Sequence, residues 1–370
     1  MKKLGFGCMR LPNLGTDDRI DMPQFTRMVD TFLSHGFTYF DTSYVYHGGK
    51  SEGALRQALV ERHPRESFTI TTKLPVVLVK ERSDTLRFFN EQLERLGTDY
   101  ADYYWLHALN ASGYEKAVRL GVFEEVSKLK EEGRIRHLGF SFHDSAAVLE
   151  RILTEHPEME YVQLQLNYFD WDSKSVQSGA CYEVAAKHRK PVIVMEPVKG
   201  GVLADVPQPI KKMFREKQPD LSDASWAIRF AASLDNVMMV LSGMSNMEQL
   251  EDNASYMEHF VPLDEEENEI IAEAVRIFDE QKEAACTDCG KCLSGCPCHI
   301  PIPDYLGMYN DHCRMKKNTN GMVYYAAFPE GTGKASECTA CGKCEAVCPQ
   351  KLPIPKLMKE VKTAFEWSMV

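Results

Sequence analysis

The sequence predicts an α/β protein: a (β/α)8 TIM barrel followed by a small C-terminal domain held together by cysteines. Three observations predict it. β-rich runs recur eight times before residue 250, mostly about thirty residues apart, which is the length of a βα unit. Helix-period segments fill the gaps, and eight strands is the number that closes a parallel barrel. Cysteines then crowd the tail, where all but Cys8 and Cys181 of the twelve lie after residue 285. An open doubly wound sheet is the rival arrangement for the same alternation.

Taken in order, the strand candidates are LGFG near residue 4, FTYFD at 37–41, FTITTK at 68–73 and ADYYWLH at 101–107. IRHLGFS at 135–141, YVQLQLN at 161–167, PVIVMEP at 191–197 and NVMMVLSG at 236–243 complete the set. Helices fit between them. SDTLRFFNEQLERLG puts Leu86, Phe89, Leu93 and Leu96 on one face, with Ser83 as N-cap and Gly97 as stop. DMPQFTRMVDTFLSHG ends likewise at Gly36, and SDASWAIRFAASLD and SNMEQLEDNASYMEHF follow the same template. The expected division is a barrel over 1–262, an acidic bridging helix over 263–285 and a cysteine-rich domain over 286–370.

Composition excludes some partners. The 370 residues are 44% hydrophobic and 26% charged, with a net charge of −11. A surface of that sign repels phosphate backbones, so nucleic acid is not an expected partner. No run of about eighteen apolar residues occurs, and the start MKKLGFGCMRLPNLG has no continuous apolar stretch. The expectation is a cytoplasmic protein without a membrane span. Clustered cysteines in that compartment read as metal ligands rather than disulfides.

Chemistry in such a barrel sits at the C-terminal strand ends. There the second, third and fourth strands end at Asp41, Lys73 and His107, and Tyr46 follows Asp41 by five residues. Each alone has a bland explanation: a helix cap, a solvated strand end, a core histidine, rim packing. Four titratable groups on consecutive strands at one rim are harder to explain that way.

FDTSYVYHGGKSEGALRQAL, TITTKLP, YYWLHAL and GFSFHD, in that order and spacing, resemble the aldo-keto reductase family from about Gly5 to Asn253. The resemblance implies nicotinamide-dependent interconversion of a small carbonyl and alcohol on a (β/α)8 barrel, with Asp41, Tyr46, Lys73 and His107 as the catalytic tetrad. Tyr46 would donate the proton. Lys73 would lower its pKa from an ordinary value of about 10, Asp41 would hold Lys73, and His107 would polarise the carbonyl.

No G-x-G-x-x-G follows the first strand. The resemblance instead places NAD(P)H across the barrel mouth. Ser141 and Gln163 would hold the carboxamide, with Tyr168 or Phe169 for stacking. Glu196, Pro197, Val198, Lys199, Gly200, Gly201 and Leu203 would fold over the pyrophosphate. Gly243, Ser245, Gln249, Asp252 and Asn253 would face the adenosine end. Phe142 and His143 follow Ser141 where the family often has Asn. Gly243 and Gln249 stand where NADP-preferring relatives carry cations, so NADH is expected to serve at least as well as NADPH.

The tail holds Cys286, Cys289, Cys292, Cys296 with Pro297, and Cys338, Cys341, Cys344, Cys348 with Pro349. Both obey C-x2-C-x2-C-x3-C-P, the bacterial ferredoxin run. Zinc is the rival ligand for such pairs. The tail resembles a ferredoxin-like domain with two [4Fe–4S] clusters. That resemblance implies crossed ligation, with Cys286, Cys289, Cys292 and Cys348 on cluster 1 and Cys338, Cys341, Cys344 and Cys296 on cluster 2. Cys298 and Cys313 fall outside the register. A nicotinamide gives two electrons as hydride and a cluster carries one, so direct transfer between them is not expected. The domain would cross-link the tail, sense redox state, or meet a ferredoxin or flavoprotein. The alternative is an electron-transfer module with little carbonyl chemistry.

Overall fold

In a computed structural model of the chain, the residues described are 2–15, 19–173, 176–280, 283–314, 325, 328 and 331–366. Eight parallel strands close into a barrel in sequence order. They are β1 Leu4–Gly7, β2 Tyr39–Asp41, β3 Thr69–Leu74, β4 Ala101–Leu109, β5 Ile135–Phe142, β6 Tyr161–Gln165, β7 Val192–Met195 and β8 Val237–Ser242. Closure is the β1–β8 pairing, with Gly5 opposite Leu241 and Phe6 opposite Ser242.

Side chains alternate across a strand. Tyr39, Tyr103, Trp105, Ile193, Met239 and Leu241 pack together as the barrel's inner core. The intervening residues, such as Phe40, Ile70, Tyr104, Phe140 and Val162, join the outer layer against the helices. Trp105 fills the centre only because β5 passes it with Gly139. A Cβ there would lie 2.3 Å from the indole and 2.4 Å from the Tyr161 carbonyl.

The same alternation positions the rim. Counting two residues on from Tyr39, Thr71 and Trp105 reaches Asp41, Lys73 and His107, which therefore share the barrel axis.

The helices form largely as their sequences suggest. Asp21 caps helix Met22–Ser34 by accepting from the Gln24 amide, and Gly97 ends helix Ser83–Leu96 at φ +69°. Leu86 is a correction: it lies exposed on that helix, and the buried face is Phe88, Phe89, Gln92, Leu93 and Leu96. Ser83 is also not the cap, because the helix entry is held by the Asp84 carboxylate, which accepts from the amides of Lys80 and Glu81.

The bridging helix is Glu265–Glu280. Its amide at Glu267 donates to Asp264, and the Asp264 amide donates back to Glu267, a reciprocal cap. It lays Ile271, Ala274 and Phe278 on Phe214, Trp226 and Phe169 of the barrel. Arg229 grips Glu267 through two hydrogen bonds, of 2.7 and 2.9 Å, both side chains buried.

The tail has its own core: Ile300, Ile302, Tyr305, Leu306, Ile354, Met358 and Val361, with Cys292 and Cys344. Helices Ile302–Arg314 and Ile354–Phe365 pack against each other there. Among the described residues the tail contains no strand. Its cysteine loops run between short helices. No helix among the described residues is long and apolar enough to cross a membrane.

Candidate functional site

At the C-terminal rim the Lys73 ammonium is buried and donates three ways: to the Asp41 carboxylate, to the Thr42 carbonyl at 2.9 Å and to the Tyr46 hydroxyl at 3.2 Å. Its exposure is 0%, so these three acceptors are its whole environment of compensation. The Tyr46 ring stands edge-to-face to the His107 ring, with centroids 5.7 Å apart. The four residues singled out from the sequence thus meet in one place.

Their titration follows from burial and neighbours. Burial drives His107 well below its ordinary value, with Lys73 and His143 adding to the push, so the imidazole is neutral at neutral pH. Burial also presses Lys73 downward, but Asp41 and Tyr46 together outweigh it and the ammonium titrates above its usual value. Burial pulls Asp41 upward against Lys73. Because Lys73 and Gln163 both donate to Asp41, we take the pair as ionised.

Tyr46 differs from the sequence expectation in sign. Burial raises its pKa above 10.0, and the lowering by Lys73 only offsets part of that, since Asp41 stands behind the ammonium. The phenol is a firmly protonated group.

Several supporting residues carried no signal in the sequence. Ser43 Oγ lies 3.0 Å from His107 Nδ1, which leaves Nε2 for the mouth of the barrel. Glu52, in the SEGAL segment, is fully buried. It accepts from Thr72 at 2.6 Å and from Gln92 at 2.8 Å, and Gln92 also donates to the Lys73 carbonyl at 3.0 Å. These bonds hold the strand end that aims Lys73. His47 accepts the Leu11 amide at 3.0 Å and joins the loops after β1 and β2.

The predicted cofactor contacts fall into three groups. Ser141 accepts the amide of Ala108 at 2.7 Å, and Gln163 donates to Asp41 at 3.1 Å, so both border the rim cluster. The loop Glu196–Leu203 follows β7 with positive φ at Glu196, Lys199, Gly200 and Gly201. Four such residues so close together make a tight turn that only the glycines adopt without strain. Its Glu196 pairs with Arg10 at 3.5 Å, and the chain turns back through bonds from Gly201 and Leu203 to the Val198 carbonyl.

Lys199 is 2% exposed and pairs with Asp170 and, at 3.8 Å, with Asp311 of the tail. In the third group, Ser245 donates to the Arg10 carbonyl at 2.8 Å and Gly243 borders the Arg10 side chain. Gln249 accepts the Ser245 amide at 2.7 Å. Asp252 accepts from Ser222, while Asn253 is buried and spends its amide on Ser242, so these two bond within the barrel wall. Pro197 and Val198 form the turn itself. Tyr168 and Phe169 are buried, edge-on to Phe230 and Phe278, in the cluster under the bridging helix. Arg10 was missed because a lone arginine after a strand carries no pattern.

The tail brings its cysteines together around two small pockets. Cys286, Cys289, Cys292 and Cys348 line one with Ile302, Leu306 and Pro349. Cys296, Cys338, Cys341 and Cys344 line the other with Ile300, Ile302 and Met358. Among the described residues no cysteine is in a disulfide. Cys298 borders the second cavity and donates to the Glu337 carbonyl at 3.0 Å. Four thiols around an apolar cavity fit an iron–sulfur cluster. Among the described residues no three His, Cys, Asp or Glu side chains are grouped closely enough to hold a single ion.

Fold and rim together define a class: a barrel oxidoreductase carrying an iron–sulfur module. The chain belongs to the aldo/keto reductase family, whose model matches residues 3–276, and residues 285–353 match a 4Fe-4S dicluster domain. It is similar to the uncharacterized oxidoreductase YqkF of Bacillus subtilis, 23% identical over 68% of this chain and 86% of that protein. Its likeness to the uncharacterized oxidoreductase C215.11c of Schizosaccharomyces pombe is 24%, over 77% and 92%. Among solved structures, the holo form of aldo-keto reductase AKR11C1 from Bacillus halodurans superimposes with TM-score 0.60 at 25% identity, covering 74% of this chain and 91% of that one. The Klebsiella pneumoniae aldo-keto reductase in complex with NADPH shares the fold, with TM-score 0.58 at 21% identity over 74% and 90%.

Proposed function

We propose that the chain interconverts a small carbonyl and its alcohol with a nicotinamide cofactor, and that its tail holds two [4Fe–4S] clusters. The observation that carries this is the meeting of the Tyr46 phenol, the Lys73 ammonium and the His107 imidazole around one point at the barrel mouth. When bound, the reduced nicotinamide supplies the hydride and the clusters supply one-electron carriage.

The chain's own residues do the rest. His107 is neutral, and with Nδ1 facing Ser43 it offers an Nε2–H to the carbonyl oxygen. Tyr46 gives its proton to that oxygen as negative charge develops. Lys73, held by Asp41 and Thr42, stabilises the phenolate left behind. Ser141 and Gln163, at the floor of the same mouth, would take the carboxamide, and Glu196–Leu203 and Gly243–Asn253 would flank the dinucleotide. Clustered cysteines that hold metal suit a cytoplasmic setting, and a ferredoxin or flavoprotein is the partner class the clusters suit.

The test is the full chain, reconstituted and assayed anaerobically with a carbonyl panel. Cofactor oxidation that depends on the carbonyl supports the reading. Cluster reduction by NADH with no carbonyl turnover sinks it in favour of an electron-transfer module.

Two further expectations arise here. With glycine and glutamine at 243 and 249, no cation from those positions meets a 2′-phosphate, so NADH should serve at least as well as NADPH. Steady-state kinetics with both decides, and a hundredfold preference for NADPH overturns it. The second concerns pH. A proton donor works only while protonated, and burial raises Tyr46 above 10.0. Carbonyl reduction should therefore hold level from about pH 7 to 9 and fall only beyond the ordinary tyrosine range. A loss of kcat centred near neutrality would remove Tyr46 from the role.

A further inference from the structure

Lys199 shares its charge between the barrel and the tail. Asp170, from the turn after β6, is fully buried. It is fixed by the Gln165 and Asn167 amides, both at 2.8 Å, and Asn167 also donates to the Glu196 carbonyl at 3.1 Å. That carboxylate is a built-in partner of the loop. Asp311 is different. It arrives from helix Ile302–Arg314, stands 3.8 Å from the ammonium and keeps 16% of its side chain in solvent. The first turns of the same helix, through Ile302, Pro303 and Leu306, line the cavity of Cys286, Cys289, Cys292 and Cys348.

One ammonium serves two carboxylates at the loop read above as the pyrophosphate site, and this inference rests on that reading. We propose that Asp311 is an electrostatic gate on the cofactor site: the iron–sulfur domain occupies Lys199 through Asp311, and a dinucleotide binds by taking that place. Asp311 is thus a positioning residue acting through Lys199. It is the weaker and more solvated of the two partners, so it is the one a diphosphate displaces. By linkage, whatever the cofactor does to the Asp311 contact, the contact does to cofactor affinity. Helix Ile302–Arg314 carries the effect between the loop and the wall of the first cysteine cavity.

The experiment is a fluorescence titration of the reconstituted full chain with NADH, for wild type, Asp311→Asn and Asp311→Glu. The Asn variant should bind about three- to fivefold more tightly at low salt, the range for a partly exposed charge. The gap should close at high salt, where exposed charges are screened, and the Glu variant should match wild type. Equal or weaker binding by the Asn variant overturns the gate. Should that variant fold poorly, wild type alone still tests it. NADH should speed amide exchange in helix Ile302–Arg314, and unchanged or slower exchange overturns the proposal. Binding with this pattern but no carbonyl turnover would sink the functional reading and leave the gate. No binding of NADH by any variant would sink both.

Discussion

Replacing Tyr46 with phenylalanine should lower carbonyl reduction by at least about a hundredfold, the lower end of what a positioned general acid contributes. The substitution removes one oxygen and little else. The ring keeps its edge-to-face packing on His107, and Lys73 keeps Asp41 and Thr42 as acceptors, so no buried charge is orphaned. The melting transition should move by no more than one hydrogen bond is worth, about 1 kcal/mol. Lys73→Met would be a poorer test, because it strands the Asp41 carboxylate inside the barrel at a cost of about 3–5 kcal/mol and confuses folding with chemistry. The measurement is turnover at saturating cofactor beside a thermal melt. A variant that turns over at the wild-type rate ends the case for Tyr46 as donor.

Cys348→Ala should halve the bound iron, from about eight atoms per chain to about four, and so should Cys286→Ala. Cys348 follows Cys344 by a single short turn, yet it lines the cavity of Cys286, Cys289 and Cys292. Crossed ligation therefore makes a specific statement about pairs. Combining Cys286→Ala with Cys348→Ala should cost no more iron than either change alone. Combining Cys344→Ala with Cys348→Ala should strip both sites. The tail's own core is small, and ligation is part of its folding energy, so the doubly stripped tail should also become sensitive to protease. Iron and sulfide analysis of the four variants decides it. Complete loss of iron from the Cys286–Cys348 pair would mean that the ligands are grouped as they run in sequence.

Much of the site was legible because it obeys short-range rules. Asp41, Lys73 and His107 could be found by counting to the ends of β-rich runs, and the cysteines by their spacing. Glu52 could not. A glutamate in a helical segment reads as a solvated residue, and only the packing of that turn against Thr72 and Gln92 makes it a buried anchor. Leu86 failed in the opposite way, since helical period places it near the apolar face but the neighbouring elements do not reach it. Tyr168 and Phe169 read as aromatics for stacking, and in the folded chain their rings pack edge-on to Phe230 and Phe278. The direction of the Tyr46 pKa is set by desolvation, which outweighs the ammonium beside it and arises only in the folded chain.

Periodicity, strand-end chemistry and cysteine spacing are local properties, carried by neighbours a few residues apart, and they are enough to place the barrel, the residues at its rim and the two four-cysteine runs. Which way a buried group titrates, and which carboxylate an ammonium such as Lys199 answers to, came only from the folded chain. Those depend on desolvation and on charges tens of positions away or on another domain, and a linear sequence holds no distance between them.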